Sequence, residues 1–416
     1  MDLHPRLDSI PLEIMDNILT LLKLSDICSL RLAGREVNAR SSQSFFKSHF
    51  RNKTIMMSAS EQLYRAVSVT QRRRLGLLLE HLTLVGLPKS YNQKDAAVLL
   101  GQAMKNLRLG LVGGRLPSLS LVIENGVKYK WQRLAEDSSS WKSVWEAAGE
   151  CFEATMQALS SSELPIESLD VFSGVTCCSL SLDRLAIIRD LNLSASLRRL
   201  KRLSISLSQH VVNGDESEEM QALTTGERHT EAICEFLQHC SPVLEDLHLH
   251  WYKLRTINLS NAISEEKQFF DRIAQSCRFP FLKRCTLKGI KTSEARLLSF
   301  LRHLQQLHSI DMEEIQIRTG SFRPVFAYLA THMEQLEYLH LNALWEKKMI
   351  HFDAPGEPHY PSTKRSRGPN TITRTGADAR VLIKYNHGRG VAMGTVMCNR
   401  WFRERQIQYG PPGDPM

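Results

Sequence analysis

No stretch of this 416-residue chain reaches the run of about 18 uncharged apolar residues that a membrane-spanning helix requires, so no membrane partner is expected. Asp2, His4, Pro5, Arg6 and Asp8 interrupt the opening residues where a secretory leader needs an unbroken apolar core, and the chain therefore reads as cytoplasmic or nuclear. Cysteine is sparse and irregularly placed: nine in the whole chain form no dense, evenly numbered framework and read as reduced, mostly buried thiols. Cys177, Cys178, Cys234, His239 and Cys240 lack the paired short spacings of a structural zinc site. Gly110, Gly113 and Gly114 have no Gly-Lys-Ser ending to make a phosphate loop, and neither a Gly-x-Ser-x-Gly elbow nor a His-Glu-x-x-His pair occurs. No catalytic residue, metal site or cofactor is expected, and the chain is not read as an enzyme.

Leucine is scarce in one region alone. Residues 1–350 contain 57, whereas residues 351–416 contain only Leu382, so differently built stretches share one chain. The length admits two or three domains, and 42% hydrophobic with 23% charged residues is an ordinary globular balance. Three regions follow: 1–50, 51–350 and 351–416. Of the net charge of +9, the last region supplies +5, from ten basic and five acidic residues. This basic, Pro- and Gly-rich tail is expected to be solvated and partly disordered, with residues 351–380 as a linker, and nucleic acid is not an expected partner. Residues 381–385 and 393–402 are candidates for local structure capping the preceding domain.

In the first fifty residues, Pro11 fits a first helical turn that Ser9 can cap, with Glu13 near its positive end. Ile14, Ile18 and Leu22 then recur at four-residue spacing with Leu19 beside them. Ser25 and Asp26 begin a second helix carrying Ile27 and Leu30, and Phe45, Phe46 and Phe50 suggest a third. A bundle of about 45 residues buries too small a core to stand alone and should lean on a partner.

From residue 79 a hexamer recurs that is apolar at its first, fourth and sixth positions. It reads Leu79-Glu-His-Leu-Thr-Leu84, Leu116-Pro-Ser-Leu-Ser-Leu121, Ile166-Glu-Ser-Leu-Asp-Val171 and Leu200-Lys-Arg-Leu-Ser-Ile205, then Leu244-Glu-Asp-Leu-His-Leu249, Leu282-Lys-Arg-Cys-Thr-Leu287, Leu307-His-Ser-Ile-Asp-Met312 and Leu336-Glu-Tyr-Leu-His-Leu341. Amphipathic helical segments fill the gaps, at 95–105, 141–159, 182–191, 231–239, 267–277, 294–304 and 322–335, and Ser293 and Ser321 stand where N-caps belong. Lys53-Thr-Ile-Met-Met57 is a candidate extra first strand. Strand then helix, at intervals of 25 to 50 residues, predicts an α/β solenoid: a curved parallel sheet with outer helices, each unit burying its apolar face against the next.

Together these motifs resemble a known family. The order Ile-Pro-x-Glu-Ile, Ile-Leu, Leu-x-Leu-x-Asp-Ile and Leu-Arg-Leu over residues 7–50 resembles the F-box. The aromatic many F-boxes carry late in the motif is absent, Val37 and Asn38 standing near its place. An F-box-like start followed by irregular leucine-rich repeats resembles the substrate receptors of SCF-type ubiquitin ligases, particularly the divergent fungal set. The resemblance implies that the amino-terminal bundle binds a Skp-type adaptor, and through it a cullin-RING ligase, by Ile10, Pro11, Leu12, Ile14, Ile18, Leu19 and Leu22. It implies that the repeats hold an unknown protein substrate. In each strand the residues flanking the central apolar position point away from the core, and the richest candidates for substrate contact are Asp246, His248, His250, Trp251, Arg284, Tyr338 and His340. The competing reading is a leucine-rich-repeat scaffold or inhibitor that acts without any ligase.

Overall fold

The structure, a computed structural model, describes residues 10–41, 50–71, 78–88, 93–124, 138–208, 219–252, 259–359, 368–387 and 396–410. Three helices open the chain: α1 (Leu12–Leu21), α2 (Leu24–Leu32) and α3 (Arg35–Ser41). Met15, Leu19 and Ile27 form their small core, with Ile10, Leu22, Leu30 and Phe50 packed on it. Arg40 closes the unit by donating to the Ile10 carbonyl at 2.6 Å. Helix α3 precedes the phenylalanine segment, in which Phe50 is helical. Phe45 and Phe46, like Ser9, fall outside the described residues, and Pro11 itself is the residue that precedes the first turn, its carbonyl accepting from the Met15 N–H at 3.0 Å.

The rest is an α/β arrangement with a mostly parallel central sheet and helices outside it. Strand β1 (Asn52–Met56) is followed by β2 (His81–Gly86), β3 (Ser118–Ile123), β4 (Ser168–Val171), β5 (Leu180–Ser181), β6 (Arg202–Ser208), β7 (Asp246–Trp251) and β8 (Arg284–Lys288). After the short β9 (Lys291–Thr292) come β10 (Ser309–Glu313), β11 (Gln316–Ile317) and β12 (Tyr338–Asn342). The main order is β1-β2-β3-β4-β6-β7-β8-β10-β12, all parallel, with β5 beside β6.

Every hexamer supplies one strand, in one register. The fourth positions, Leu82, Leu119, Leu169, Leu203, Leu247, Cys285, Ile310 and Leu339, are cross-strand partners in turn. So are the sixth positions, Leu84 to Leu341, and no residue of either row is more than 2% exposed. Only one register lets a period-two strand bury both rows, because a one-residue slip would send all of them to the opposite face.

Between the strands lie α4 (Ser60–Gln71), α5 (Gln93–Gly110), α6 (Ser138–Ser162), the single turn α7 (Ser194–Leu197), α8 (Glu219–Cys240), α9 (Leu259–Ser276), α10 (Glu294–Arg302) and α11 (Arg323–His332). Ser293 caps α10, accepting from the Arg296 N–H at 3.3 Å. Ser321 does not cap α11. There Glu346, reaching across from the next unit, accepts from the Phe322 N–H at 2.9 Å.

Two expectations are corrected. Residues 182–191 are not an α-helix: Leu182–Asp190 forms a 3-10 segment that fills the helix position between α6 and α8. Leu182, Leu185 and Ile188, with Leu191 just beyond the segment, recur every three residues, the period of a 3-10 turn rather than of an α-helix. Part of the expected linker is also ordered. Following β13 (Ile350–Phe352), strand β14 (Thr371–Thr375) pairs antiparallel with β12 and ends the sheet, and β15 (Tyr385–His387) pairs with β13. The last described element is α12 (Val396–Tyr409). Among the described residues eight cysteines are free, all but Cys28 buried, and no helix is long and apolar enough to cross a membrane.

Candidate functional site

The common register lays the odd positions of successive strands side by side on the face opposite the buried leucines. Three rows cross β6, β7, β8, β10, β12 and β14. The first is Arg202, Asp246, Arg284, Ser309, Tyr338 and Thr375; the second Ser204, His248, Thr286, Asp311, His340 and Thr373; the third Ser206, His250, Lys288, Glu313, Asn342 and Thr371. Asp246, His248, His250, Arg284, Tyr338 and His340 are thus gathered on one surface, brought together from residues nearly a hundred positions apart. Arg284 donates to Asp246 at 2.9 Å, and His340 Nδ1 lies 2.8 Å from Thr373 Oγ1.

Trp251 does not belong with them. It is 1% exposed and points to the helix side, its ring 4.7 Å from that of Phe269, because its even place in the strand puts it in phase with Leu247 and Leu249. A partner on the open face cannot reach it.

The third row is partly covered by α12. Trp401, Arg405 and Tyr409 stand four residues apart on this helix and so share one face. Tyr409 donates a hydrogen bond to Glu313 Oε2 and its ring lies 5.9 Å from that of His250, edge-on. Arg405 grips Glu314 through both carboxylate oxygens, at 2.7 and 2.6 Å, under the rings of Trp345 and Trp401. Trp345 Nε1 adds a third donor to Glu314 at 3.1 Å. Such a paired, planar fork on a buried carboxylate is among the strongest polar contacts proteins make. Trp401 packs with Ala343, Met349 and Trp345 in a small apolar cluster of its own.

The electrostatics follow from this cover. Burial, and secondarily the positive charge of Lys288, holds His248 down to about 4. Burial again, with His248 and Lys288 adding to it, holds His250 down to about 3, so both imidazoles are neutral near pH 7. Burial works against the Glu313 carboxylate, yet hydrogen bonds from Tyr409 and Lys288 outweigh it and keep its pKa below the usual range. Asp311 is shifted upward by burial and by Glu313 beside it.

Asp311, Glu313 and His340 bring ligand-type atoms within 4.8 Å of one another and are the described residues best placed for a metal ion. Glu313 is already held at both oxygens, by Lys288 at 2.9 Å and by Tyr409, so its charge is compensated without a cation.

The residues expected to meet an adaptor divide between two faces of α1. Leu19 is fully buried, and Ile10 and Leu22 are half-buried against the same core, so these three hold the bundle together. Pro11, Leu12, Ile14 and Leu21 are exposed, Ile14 by 50% and Leu21 by 85%, and Ile18 is half-exposed. At 100° per residue Pro11, Ile14, Ile18 and Leu21 form one apolar stripe beside the core face.

Sequence reasoning missed Glu313, Glu314, Lys288, Arg405 and Tyr409. The four-residue spacing of Trp401, Arg405 and Tyr409 was a usable signal, but which strands the helix would meet is set by folding at a distance. No protein-family model matches the chain, and no curated protein matches it.

Proposed function

We propose that the chain is the substrate-recognition subunit of an SCF-type ubiquitin ligase. In this reading α1–α3 are an F-box that docks a Skp-type adaptor, and the strand-and-helix units are irregular leucine-rich repeats whose open face receives a protein substrate. The observation that carries it is the stripe Pro11, Ile14, Ile18 and Leu21: exposed or half-exposed apolar side chains on a bundle whose described core cluster is only Met15, Leu19 and Ile27. Covering four such side chains contributes roughly 1.5 to 3 kcal/mol each, of the order of the cost of association, about 4 to 15 kcal/mol. The receptor supplies no catalytic group. It acts by proximity, raising the effective concentration of a substrate lysine beside a charged conjugating enzyme.

The test is co-elution of the purified chain with a Skp-type adaptor. Full-length protein is expected to bind, and protein lacking residues 1–50 is not. Because Ile14 and Ile18 lie outside the bundle core, Ile14→Glu with Ile18→Glu should abolish binding while leaving the circular dichroism melt unchanged. Failure of the folded full-length chain to bind sinks this reading and favours the ligase-independent scaffold.

A further inference from the structure

The turn leaving β10 is built differently from its neighbours. Gly289 after β8, Glu314 after β10 and Ala343 after β12 occupy equivalent places, and all three adopt the left-handed conformation, with φ of 70°, 54° and 48°. Glycine and alanine are small there. Glutamate gains nothing from that backbone; like Phe172 in the equivalent place after β4, with φ of 60°, Glu314 is buried, at 7% exposure, and its carboxylate faces α12. Polar, directional contacts seat α12: Arg405 on Glu314, Tyr409 on Glu313, and the Ile407 carbonyl accepting from the Cys177 N–H at 3.3 Å. Of the α12 side chains that are described, none belongs to the long core of the sheet. Beside its seat, buried polar atoms that include His248 Nε2 and Asp311 Oδ1 have no hydrogen-bond partner among the described residues. A helix evolved only to seal the face would leave no such atoms.

We propose that the seat of α12 is a binding site for a helical segment of a partner protein that presents an arginine and, four residues later, a tyrosine, and that α12 is its intramolecular stand-in. The partner's guanidinium takes the place of Arg405 between Glu314 and the Trp345 ring, and its phenol takes the place of Tyr409 on Glu313. A further donor beyond the tyrosine meets Asp311. The carboxylates of Asp311, Glu313 and Glu314 make the site complementary to a basic rather than an acidic segment. The proposal deepens the receptor reading by giving the substrate a chemistry, but its test involves neither adaptor nor ligase, so either can fail alone.

The probe is a fluorescent, alanine-rich helical peptide carrying Trp, Arg and Tyr at the spacing of Trp401, Arg405 and Tyr409, titrated against the full-length chain by anisotropy. Wild type should bind it weakly, because a tethered competitor acts at millimolar effective concentration, and Arg405→Ala should tighten binding by about tenfold or more. Adding Glu314→Gly to that variant should abolish binding. Tyr409→Phe, which removes a single hydrogen bond, provides a milder release with a smaller gain should Arg405→Ala fail to fold. In hydrogen exchange of the wild type, α12 should open more readily than β10. The proposal is overturned by a peptide that binds no folded form, by binding confined to the released variants with α12 as protected as β10, or by binding indifferent to Glu314→Gly.

Discussion

His250 shows how one side chain records the covering of the open face. Its ring stands in contact distance of Tyr409 and Tyr252, and Ser206 Oγ lies 3.1 Å from Nδ1. Burial is the main cause of its depressed pKa, His248 and Lys288 reinforce it, and the Gln408 carbonyl and Glu313 oppose it. From its ordinary value of 6.5 down to about 3, the unfolded chain carries a proton here that the folded chain does not. The contribution to stability is therefore complete above pH 6.5 and is lost as pH falls toward 3. Glu313, with its lowered pKa, acts in the same direction, and Asp311, with its raised one, acts against it. His250→Gln should flatten the fall of the urea midpoint between pH 6.5 and 4; a slope equal to wild type would show that the imidazole is not the group responsible. Trp251 carries the complementary lesson. Its neighbours His248 and His250 made it look like part of a surface cluster, whereas alternation along the strand assigns it to the opposite side.

At the scale of the element, a strand's hydrophobic rhythm is legible because it is local. The hexamers located β2, β3, β4, β6, β7, β8, β10 and β12, and their register followed from the need to bury both apolar positions. Leu203→Ala should therefore cost about 2 to 5 kcal/mol by urea unfolding, whereas Ser204→Ala, one residue along and on the open face, should stay within about 0.5 kcal/mol. Equal effects would mean that the two faces are misassigned. Strand β14 was not legible. Thr371-Ile-Thr-Arg-Thr375 has the β-branched residues of a strand, but only one large apolar side chain, Ile372, and it is set among Gly and Pro. What makes it a strand is the unpaired edge of β12, a partner supplied by the tertiary fold. Thr373→Pro should uncover that edge and raise light scattering on heating; a variant that stays monomeric through the melt would show that β14 is dispensable as a guard. The other end is protected differently, β1 carrying exposed Asn52, Lys53 and Thr54.

Across the whole molecule, cohesion is uneven. One continuous core runs from Met57 to Ile383, whereas α1–α3 rest on a separate cluster of three buried residues. Amides of α1–α3 should exchange with solvent well before those of β3 or β7, and an adaptor covering Ile14 and Ile18 should slow them selectively. Uniform exchange along the chain would contradict this division. The division itself was readable, since a short amphipathic opening and a long leucine-rich stretch differ in composition. Local structure was also expected at 381–385 and 393–402, but how the last region joins the sheet was not readable, because strand pairing by β14 and β15 and scattered side chains such as Ile372, Ile383 and Arg405 follow no periodic pattern.

The antiparallel direction of β14 also governs how a chain of this kind can lengthen. Each parallel strand leaves its neighbour the same row of donors and acceptors at the same offset, so a duplicated strand-and-helix unit could be spliced between any two of them without altering what either end presents. Past β14 that continuity stops: its polarity is reversed, and the next parallel unit would find no matching ladder. Gene duplication could vary the number of units in the interior while this strand travels always as the last, a full stop that keeps its place however long the sentence becomes.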